Sequence, residues 1–274
     1  MASLNIDSDA SSERDVWLEL TLPKQFSRLL YTNPVCFLST SSQDHGRNVM
    51  VVSWMTAINN EGRLVMSLCR RRHTASLLLS QEYTTSFVLS VPIRGMEDLV
   101  RQVGGQSGRW GCKLNPLGRR PSNDKGKAAG MVTDDTTATT NSAMSTHVPS
   151  RKRRKRNLGN QDQTWIPDLI AVPVGGKMKD VDQFSQSHED FAIQGTVAHI
   201  QCNILSIQTA DSKLNNLSIA ETVDDDHILV FGQVTKAYVH EKYWDTTKNL
   251  FRRQSETVAP YLTFFGSQTF GYVV

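Results

Sequence analysis

The stretch RNVMVVSWMTAIN, residues 47–59, decides the fold of this chain. Valine and methionine dominate it, which is typical of a β-strand with at least one buried face. Asn48, Ser53 and Thr56 interrupt the apolar run, and Trp54 stands in its middle. Because a polar group is costly to bury without a hydrogen-bond partner, these three side chains need partners in the folded protein.

Similar β-rich runs flank this stretch, separated by turn sequences such as DHGR and NNEG. The predicted strands are PVCFLST (34–40), NVMVVSWMTAI (48–58), RLVMSLC (63–69), TTSFVLSV (84–91), DLIAVPV (168–174), FAIQGTVAHIQCNILSIQTA (191–210) and HILVFGQVTKAYV (227–239). Many strands and few helices in one chain of 274 residues predict a mainly β fold. We expect a β-barrel with attached helices rather than a sandwich of two domains.

Two helices are predicted between the strands. The first is TASLLLSQE, roughly 74–82, with Thr74 at the N-cap. The second lies in GMEDLVRQVGG, where apolar residues recur at helical spacing and two glycines end the pattern. Its apolar positions are Met96, Leu99, Val100 and Val103, and the glycines are Gly104 and Gly105.

Two parts of the chain have a composition that cannot form a core. Residues 1–20 are predicted to be a weakly ordered tail, and residues 115–163 are rich in Gly, Ser, Thr, Asn, Lys and Asp. Because β-type patterning resumes afterwards, we expect one domain over 21–274 that the segment 115–163 interrupts as a disordered insertion.

The net charge of +3 is local in origin, because RKRRKR (151–156) holds six of the thirty Lys and Arg residues. The four cysteines are scattered, without a CxxC pair or metal-ligand spacing, so we expect reduced thiols and no metal site. There is no apolar run of membrane-spanning length, and the polar N-terminus does not resemble a secretory signal. These features predict a soluble cytoplasmic protein, with the nucleus as the alternative compartment.

Three local patterns could carry chemistry. In SLCRRRHTASLLL (67–79) a strand ends in three arginines just before a helix, which favours an anion such as a phosphate monoester. The alternative is a solvated basic turn. In GGQSGRWGCK (104–113) glycines, a serine hydroxyl and two cations would let backbone approach a ligand, although the glycines could simply end the helix.

The third pattern is DDDHILVFGQV (224–234), where three carboxylates precede His227 at the start of a strand. A neighbouring carboxylate could orient this imidazole for proton transfer or substrate contact, and an acidic turn with an incidental histidine is the alternative. The chain has neither GxGxxG nor GxxxxGK[ST], so the usual nucleotide-binding loops are excluded. It also lacks GxSxG and any activated serine or cysteine, which excludes the common hydrolases.

Taken in order, these segments resemble the flavin reductase-like family, the FMN-binding split barrels that include flavoredoxin and the reductase components of two-component monooxygenases. The matching segments are NPVCFLST, RNVMVVSWMT, RLVMSLCRRRHT, a strand ending in VP, GGQSGR with a lysine shortly after it, and DDHILVFGQV. The resemblance covers residues 30–113 and 165–240. It implies a six-stranded antiparallel Greek-key split barrel, usually a homodimer, that binds FMN or FAD and takes electrons from NADH or NADPH.

The resemblance also implies site residues. The strand from Asn48 would line the flavin ring, the run from Ser67 to Thr74 would hold the ribityl chain and phosphate, and the GGQSGR segment would lie nearby. The implied flavin contacts are Asn48, Val49, Met50, Ser53, Trp54, Met55, Thr56, Ser67, Leu68, Cys69, Arg70, Arg72, His73, Thr74, Ser107, Gly108 and Lys113. Within this set we expect the Trp54 ring to pack in the barrel or a dimer contact rather than stack on the flavin.

His227 matches the histidine of the family's Gly-Asp-His and would have a catalytic role on the nicotinamide or substrate side. This chain has Asp225-Asp226-His227 instead, and NNEGR replaces a proline-rich segment before the third strand. Two functions follow: an NAD(P)H-dependent flavin reductase, or a flavin-binding electron carrier reduced by another enzyme.

A function of another class rests on the basic run, which suits a nuclear import receptor or nucleic acid. Its residues are Arg151, Lys152, Arg153, Arg154, Lys155 and Arg156.

Overall fold

The computed structural model describes residues 32–42, 46–80, 84–115, 165–175, 189–210, 213–214, 217–218, 225–266 and 269–273. The predicted tail (1–20), the basic run (151–156) and all of the predicted insertion except Asn115 lie outside the described residues. The predicted division into tail, domain and insertion therefore stays a prediction.

The first half of the described chain carries six strands and two helices. They are β1 (Asn33–Pro34), β2 (Cys36–Ser42), β3 (Gly46–Val52), β4 (Met55–Ala57), β5 (Arg63–Cys69), α1 (His73–Leu79), β6 (Ser86–Ser90) and α2 (Glu97–Gly105). The second half continues with β7 (Ala171–Pro173), β8 (Phe191–Ile193), β9 (Ala198–Gln208), β10 (Lys213–Leu214), β11 (Leu217–Ser218), β12 (His227–Val239), β13 (Trp244–Asp245), β14 (Leu250–Phe251), β15 (Tyr261–Gly266) and β16 (Thr269–Val273). Short 3₁₀ turns occupy Gly108–Trp110 and Glu241–Tyr243.

The main sheet is antiparallel, with the order β3-β2-β6-β9-β12-β5-β4. Its two edge strands, β3 and β4, are joined only by Ser53 and Trp54. Three Cα steps span at most about 11 Å, so the two edges must lie close together and the sheet must curl. The predicted strand 48–58 is thus wrong as a single element, because the chain leaves one edge and joins the other. Counted as one crossing run, β3 and β4 complete a curled sheet of six strands.

Residues on alternate sides of the sheet enter two cores. Met50 and Leu38 point into the curl with Met66, while Val49 and Phe37 point outward against the second core. The outer core also contains the buried face of α2, namely Leu99, Val100 and Val103. The curl therefore has a filled interior and an outer layer that holds α2 against β3.

The two helices are present near their predicted positions, but α1 differs at both ends, since it ends at Leu79 rather than near residue 82. The N-cap is Arg72, which makes no side-chain capping hydrogen bond, and Thr74 lies inside the first turn. The prediction of Thr74 as N-cap is wrong because its buried hydroxyl accepts a hydrogen bond from Asn48 instead. For α2, the burial of Leu99, Val100 and Val103 and the end at Gly105 are confirmed, whereas Met96 is half-buried and lies at the N-cap.

Two later segments show where sequence patterning succeeded and failed. The predicted strand 227–239 is confirmed as β12. The predicted strand 191–210 is wrong as one element, because the chain turns between β8 and β9 with Gly195 at φ +82. A three-stranded sheet of β1, β15 and β16 follows at the C-terminal end and was not predicted.

Within the described part of the chain, no helix combines the length and the apolar character needed to cross a membrane.

Candidate functional site

The candidate site is centred on the crossover from β3 to β4. The backbone N–H of Ser67 donates a hydrogen bond to the carbonyl of Trp54 at 2.9 Å, which ties the crossover to β5. Strand β5 pairs with β12 on its other side, where Cys69 of β5 lies opposite His227 of β12. The crossover, the end of β5 and the start of β12 therefore meet in one place.

The indole of Trp54 lies on the surface of this junction, where it is 40% exposed. It stacks on the imidazole of His227, with ring centroids 5.5 Å apart and planes 21° apart. The expectation that Trp54 packs inside the barrel is wrong, because the crossover turns its side chain out of the curled sheet. The alternative of a dimer contact stays a prediction.

A second contact joins β3, α1 and the Gly108–Trp110 turn. Asn48 is buried, and its Nδ2 donates to the Thr74 hydroxyl at 2.8 Å. A Cβ on Gly108 would overlap the Asn48 side-chain oxygen and approach the His73 ring to 2.9 Å. Only glycine fits there, so the SGR turn packs directly on the strand and the helix.

Two of the three polar interruptions in the opening stretch have partners among the described residues. Asn48 pairs with Thr74, as described above. Thr56 is exposed and its hydroxyl donates to the carbonyl of Ala57 at 3.3 Å. Ser53 is half-buried at the crossover itself.

Lys113 is buried and links β3 to α2 through hydrogen bonds. Its side chain donates to the carbonyl of Val49 at 2.7 Å and to that of Val103 at 3.3 Å, and the residue is 4% exposed. Burial, with a smaller contribution from the nearby Arg72 guanidinium and against an opposing effect of Cys112, lowers the pKa of this ammonium group to about 8. The described contacts of this side chain are thus with backbone inside the fold.

The three arginines after β5 are exposed and lie on the same junction. The backbone N–H of Arg70 donates to the carbonyl of Asp226 at 2.7 Å, and the Arg71 guanidinium contacts the Asp226 carboxylate at 3.4 Å. A side-chain hydrogen bond with Cys69 raises the pKa of Arg71, and Asp226 adds to the effect. Arg72 donates to the carbonyl of Gly104 at 3.1 Å, at the end of α2.

The sequence predicted an anion site from three arginines that precede a helix N-terminus, and the structure shows which of these two features supplies the positive charge. Helix α1 has only seven residues, so its dipole contributes little. The positive potential at this junction comes chiefly from the arginine side chains. The Asp226 carboxylate contacts the Arg71 guanidinium, and the His227 ring stacks on Trp54.

The predicted site residues thus come together around the crossover but differ in accessibility. The buried members, which could offer a ligand at most backbone atoms, are Asn48, Val49, Met50, Leu68, Thr74 and Lys113. The partly or fully accessible members are Ser53, Trp54, Met55, Thr56, Ser67, Cys69, Arg70, Arg72, His73, Ser107, Gly108 and His227. Their contact with a flavin remains a prediction.

Sequence reasoning missed the pairing of Arg71 with Asp226 and the stacking of Trp54 on His227. Both contacts join residues more than 150 positions apart, so local spacing carried no signal for them. Once β5 and β12 are known to be neighbouring strands, their register places Cys69 opposite His227 and so brings these residues together. Among the described residues, no group of three or more His, Cys, Asp or Glu side chains could hold a metal ion.

Comparison with known proteins agrees with this architecture. Residues 26–148 match the flavin reductase like domain. This part of the chain therefore resembles the flavin reductase-like family. The match includes β3, the crossover, α1 and the GGQSGR segment.

Solved structures extend the likeness beyond that segment. The chain is similar to an FMN-binding protein from Thermus thermophilus with bound 1-cyclohex-2-enone, at 15% identity and TM-score 0.53, covering 94% of this chain and 95% of that one. It is also similar to the flavoredoxin of Desulfovibrio vulgaris (Miyazaki F), at 13% identity and TM-score 0.50, covering 89% and 88%. At these identities the likeness shows the fold alone, and the predicted split barrel is confirmed. A search of curated proteins found no match.

Proposed function

We propose that this protein binds FMN at the β3–β4 crossover and acts as an NAD(P)H-dependent flavin oxidoreductase, with FAD as the alternative flavin. The observation that carries the proposal is the convergence of four features on one accessible junction: the crossover, the arginine turn (residues 70–72), the SGR turn (residues 107–109) and His227. The family match and the flavin-binding proteins of similar fold support it.

The chemistry of the accessible donors fits a flavin. Half-buried hydroxyls of Ser53, Ser67 and Ser107 could donate to the polar edge of a flat ring. In the proposal these hydroxyls face the side of the ring where negative charge increases on reduction. Bound FMN would supply the redox chemistry, accepting hydride from a nicotinamide and passing electrons on.

The phosphate would lie against the arginine turn. Arg70 and Arg72 are exposed cations within three residues of one another, and Arg72 is anchored to the end of α2. A guanidinium binds a phosphate through charge-assisted hydrogen bonds. On the other side of the junction, the stacked rings of Trp54 and His227 would border the nicotinamide, with His227 as the proposed catalytic residue.

Binding is tested by adding the purified protein to FMN and, separately, to riboflavin, and following the quenching of flavin fluorescence. Saturable quenching by FMN supports the proposal, and its absence with both flavins overturns it. Arg70→Gln should weaken FMN binding about tenfold while changing riboflavin binding less than about twofold, because only FMN carries the phosphate. The matched control is Arg101→Gln, which removes an exposed arginine on α2 that pairs with Asp98.

Turnover is tested by mixing protein and FMN with NADH or NADPH and recording nicotinamide oxidation. Oxidation that depends on the protein supports the reductase. Flavin binding without oxidation of either nicotinamide would instead identify an electron carrier reduced by another enzyme. His227→Ala should lower the oxidation rate without loss of FMN binding, because the proposed role of this residue is on the nicotinamide side.

We further propose a homodimer, as the family resemblance implies, to be checked by sedimentation. No described contact bears on a cytoplasmic or nuclear location or on the basic run at 151–156, so its role with an import receptor or nucleic acid stays a prediction. Deleting 151–156 and following the protein in cells would test it.

A further inference from the structure

A cavity of about 750 Å³ lies between the curled sheet and the C-terminal segment. Strands β2, β4, β5, β6, β9 and β12 of the curled sheet line it, together with β13, β14 and β15. Its volume lies within the range of pockets that hold small molecules. Nothing in the sequence predicted it, because its walls come from segments more than 200 residues apart.

The lining is almost wholly apolar and includes several aromatic rings. The Phe251 and Tyr261 rings stack with centroids 4.6 Å apart and planes 26° apart. Together with Trp244 they make the C-terminal wall largely aromatic. Aromatic walls favour a flat ring as guest, because rings gain from stacking as well as from burial.

Arg63 is the one charged residue among the described residues that line this cavity. It is exposed at the start of β5, and within the described part of the chain its side chain forms no salt bridge. A cation beside an apolar wall attracts an anion more strongly than in open water, because the local dielectric is lower. The charge of the cavity therefore complements an anionic group on the guest.

We propose that this cavity binds a flat aromatic compound that carries one carboxylate, with the ring against the aromatic wall and the carboxylate at Arg63. The cavity shares Met55 and Thr56 with the proposed flavin site, whereas Arg63 and the aromatic wall lie outside that site. Binding of the aromatic acid consequently does not require bound flavin.

The test is isothermal titration calorimetry of the full chain without flavin, using three probes of one ring system: naphthoate, naphthalenemethanol and naphthylmethylammonium. We expect saturable binding of one naphthoate per chain, about tenfold tighter than the alcohol, and still weaker binding of the ammonium compound. Absence of naphthoate binding, or equal binding of all three probes, overturns the proposal.

Two variants locate the guest. Arg63→Gln should weaken naphthoate binding about tenfold and leave the alcohol unchanged, whereas Arg101→Gln on α2 should change neither. Ala237→Trp, at a cavity-lining position on β12, should abolish binding of all probes, whereas Leu205→Trp, at an exposed position on β9 outside the cavity, should not. Naphthoate binding that survives Ala237→Trp in a folded protein, shown by circular dichroism, would overturn the assignment.

The remaining outcome concerns a second copy of the chain. If the cavity is filled by another protein molecule, naphthoate affinity will fall as protein concentration rises, and this result would also overturn the proposal. Titrating FMN into Arg63→Gln and Ala237→Trp shows whether these variants still bind flavin, and so separates a failure of the cavity proposal from a failure of the flavin proposal. Failure of naphthoate binding with intact FMN binding rejects this inference alone.

Discussion

Lys113 is a residue that the family resemblance assigns to the flavin and that the structure shows inside the protein. Its ammonium group donates to carbonyls of β3 and α2, and these contacts account for its burial. A buried cation is favoured when backbone oxygens satisfy its donors, although burial still opposes the charge. The residue would therefore act on the flavin site by holding β3 and α2 together.

The lowered pKa of Lys113 predicts a pH dependence of stability. In the unfolded chain this group titrates near 10.5, and in the folded chain at about 8. Between these values the unfolded state binds more protons, so the contribution of Lys113 to the free energy of unfolding rises with pH. Urea unfolding of wild type and Lys113→Met from pH 7 to 11 should show their difference growing by about 3 kcal/mol in favour of wild type. Parallel curves would contradict the lowered pKa.

Gly108 predicts a second residue-scale effect. Alanine there would overlap the Asn48 side chain and press on the His73 ring, so Gly108→Ala should lower the free energy of unfolding by about 2 kcal/mol. It should also weaken FMN binding, because the same contact positions the SGR turn. The matched control is Gly105→Ala, where a Cβ meets open space and the residue is helical, so stability should change by less than about 1 kcal/mol. If the two variants are equally stable, the turn around Gly108 can shift to accommodate a Cβ, and the prediction is wrong.

At the scale of elements, the crossover between β3 and β4 determines the site. Pairing with β2 fixes β3 at one edge of the sheet, and pairing with β5 fixes β4 at the other. The two residues between them must then bridge the gap in the curl. This geometry exposes Trp54 beside His227, which a straight strand with alternating faces would not do at this point.

The hydrogen bond between Asn48 and Thr74 predicts a coupling between β3 and α1. Single variants Asn48→Ala and Thr74→Val, and the double variant, form a double-mutant cycle in thermal or urea unfolding. Because both side chains are buried and bond to each other at 2.8 Å, the coupling energy should be about 1 kcal/mol. Additive effects of the two substitutions would mean that each side chain contributes independently of the other.

At the scale of the whole molecule, the curled sheet separates buried thiols from accessible ones. Cys36 and Cys202 lie in the inner core, Cys69 is half-buried at the end of β5, and Cys112 is exposed. Burial raises the pKa of both inner thiols to about 12, with Cys202 adding to the effect on Cys36 and Asp190 to that on Cys202. Their neutral form therefore favours the fold below pH 9, and that contribution is lost as the pH rises toward 12.

Thiol labelling with an aromatic disulfide reagent should follow this order. In the native protein Cys112 should react first and Cys69 more slowly, whereas Cys36 and Cys202 should react only on the timescale of global unfolding. Cys112→Ser should remove the fastest phase and leave the slow ones. Rapid labelling of four thiols under native conditions would contradict the closed inner core.

The sequence predicted single elements better than their connections. The strand 227–239 and the buried positions of α2 follow from local periodicity, and both were found. The strand 48–58 was divided and the strand 191–210 was interrupted, because periodicity does not record which edge of a sheet a residue joins. For the site, the order of motifs pointed to the family that residues 26–148 match, but the accessibility of each side chain could be read only from the packing.

The sequence by itself determined that the chain is mainly β, where most strands lie, and which family it resembles, because these depend on local residue types and their order. Only the tertiary structure decided how the polar groups of RNVMVVSWMTAIN are used: Asn48 pairs inside the fold, Thr56 bonds to local backbone, and Ser53 lies half-buried at the crossover. The same holds for the internal role of Lys113 and for the apolar cavity. Each depends on contacts between residues distant in sequence, which form only when the sheet curls and its edges meet.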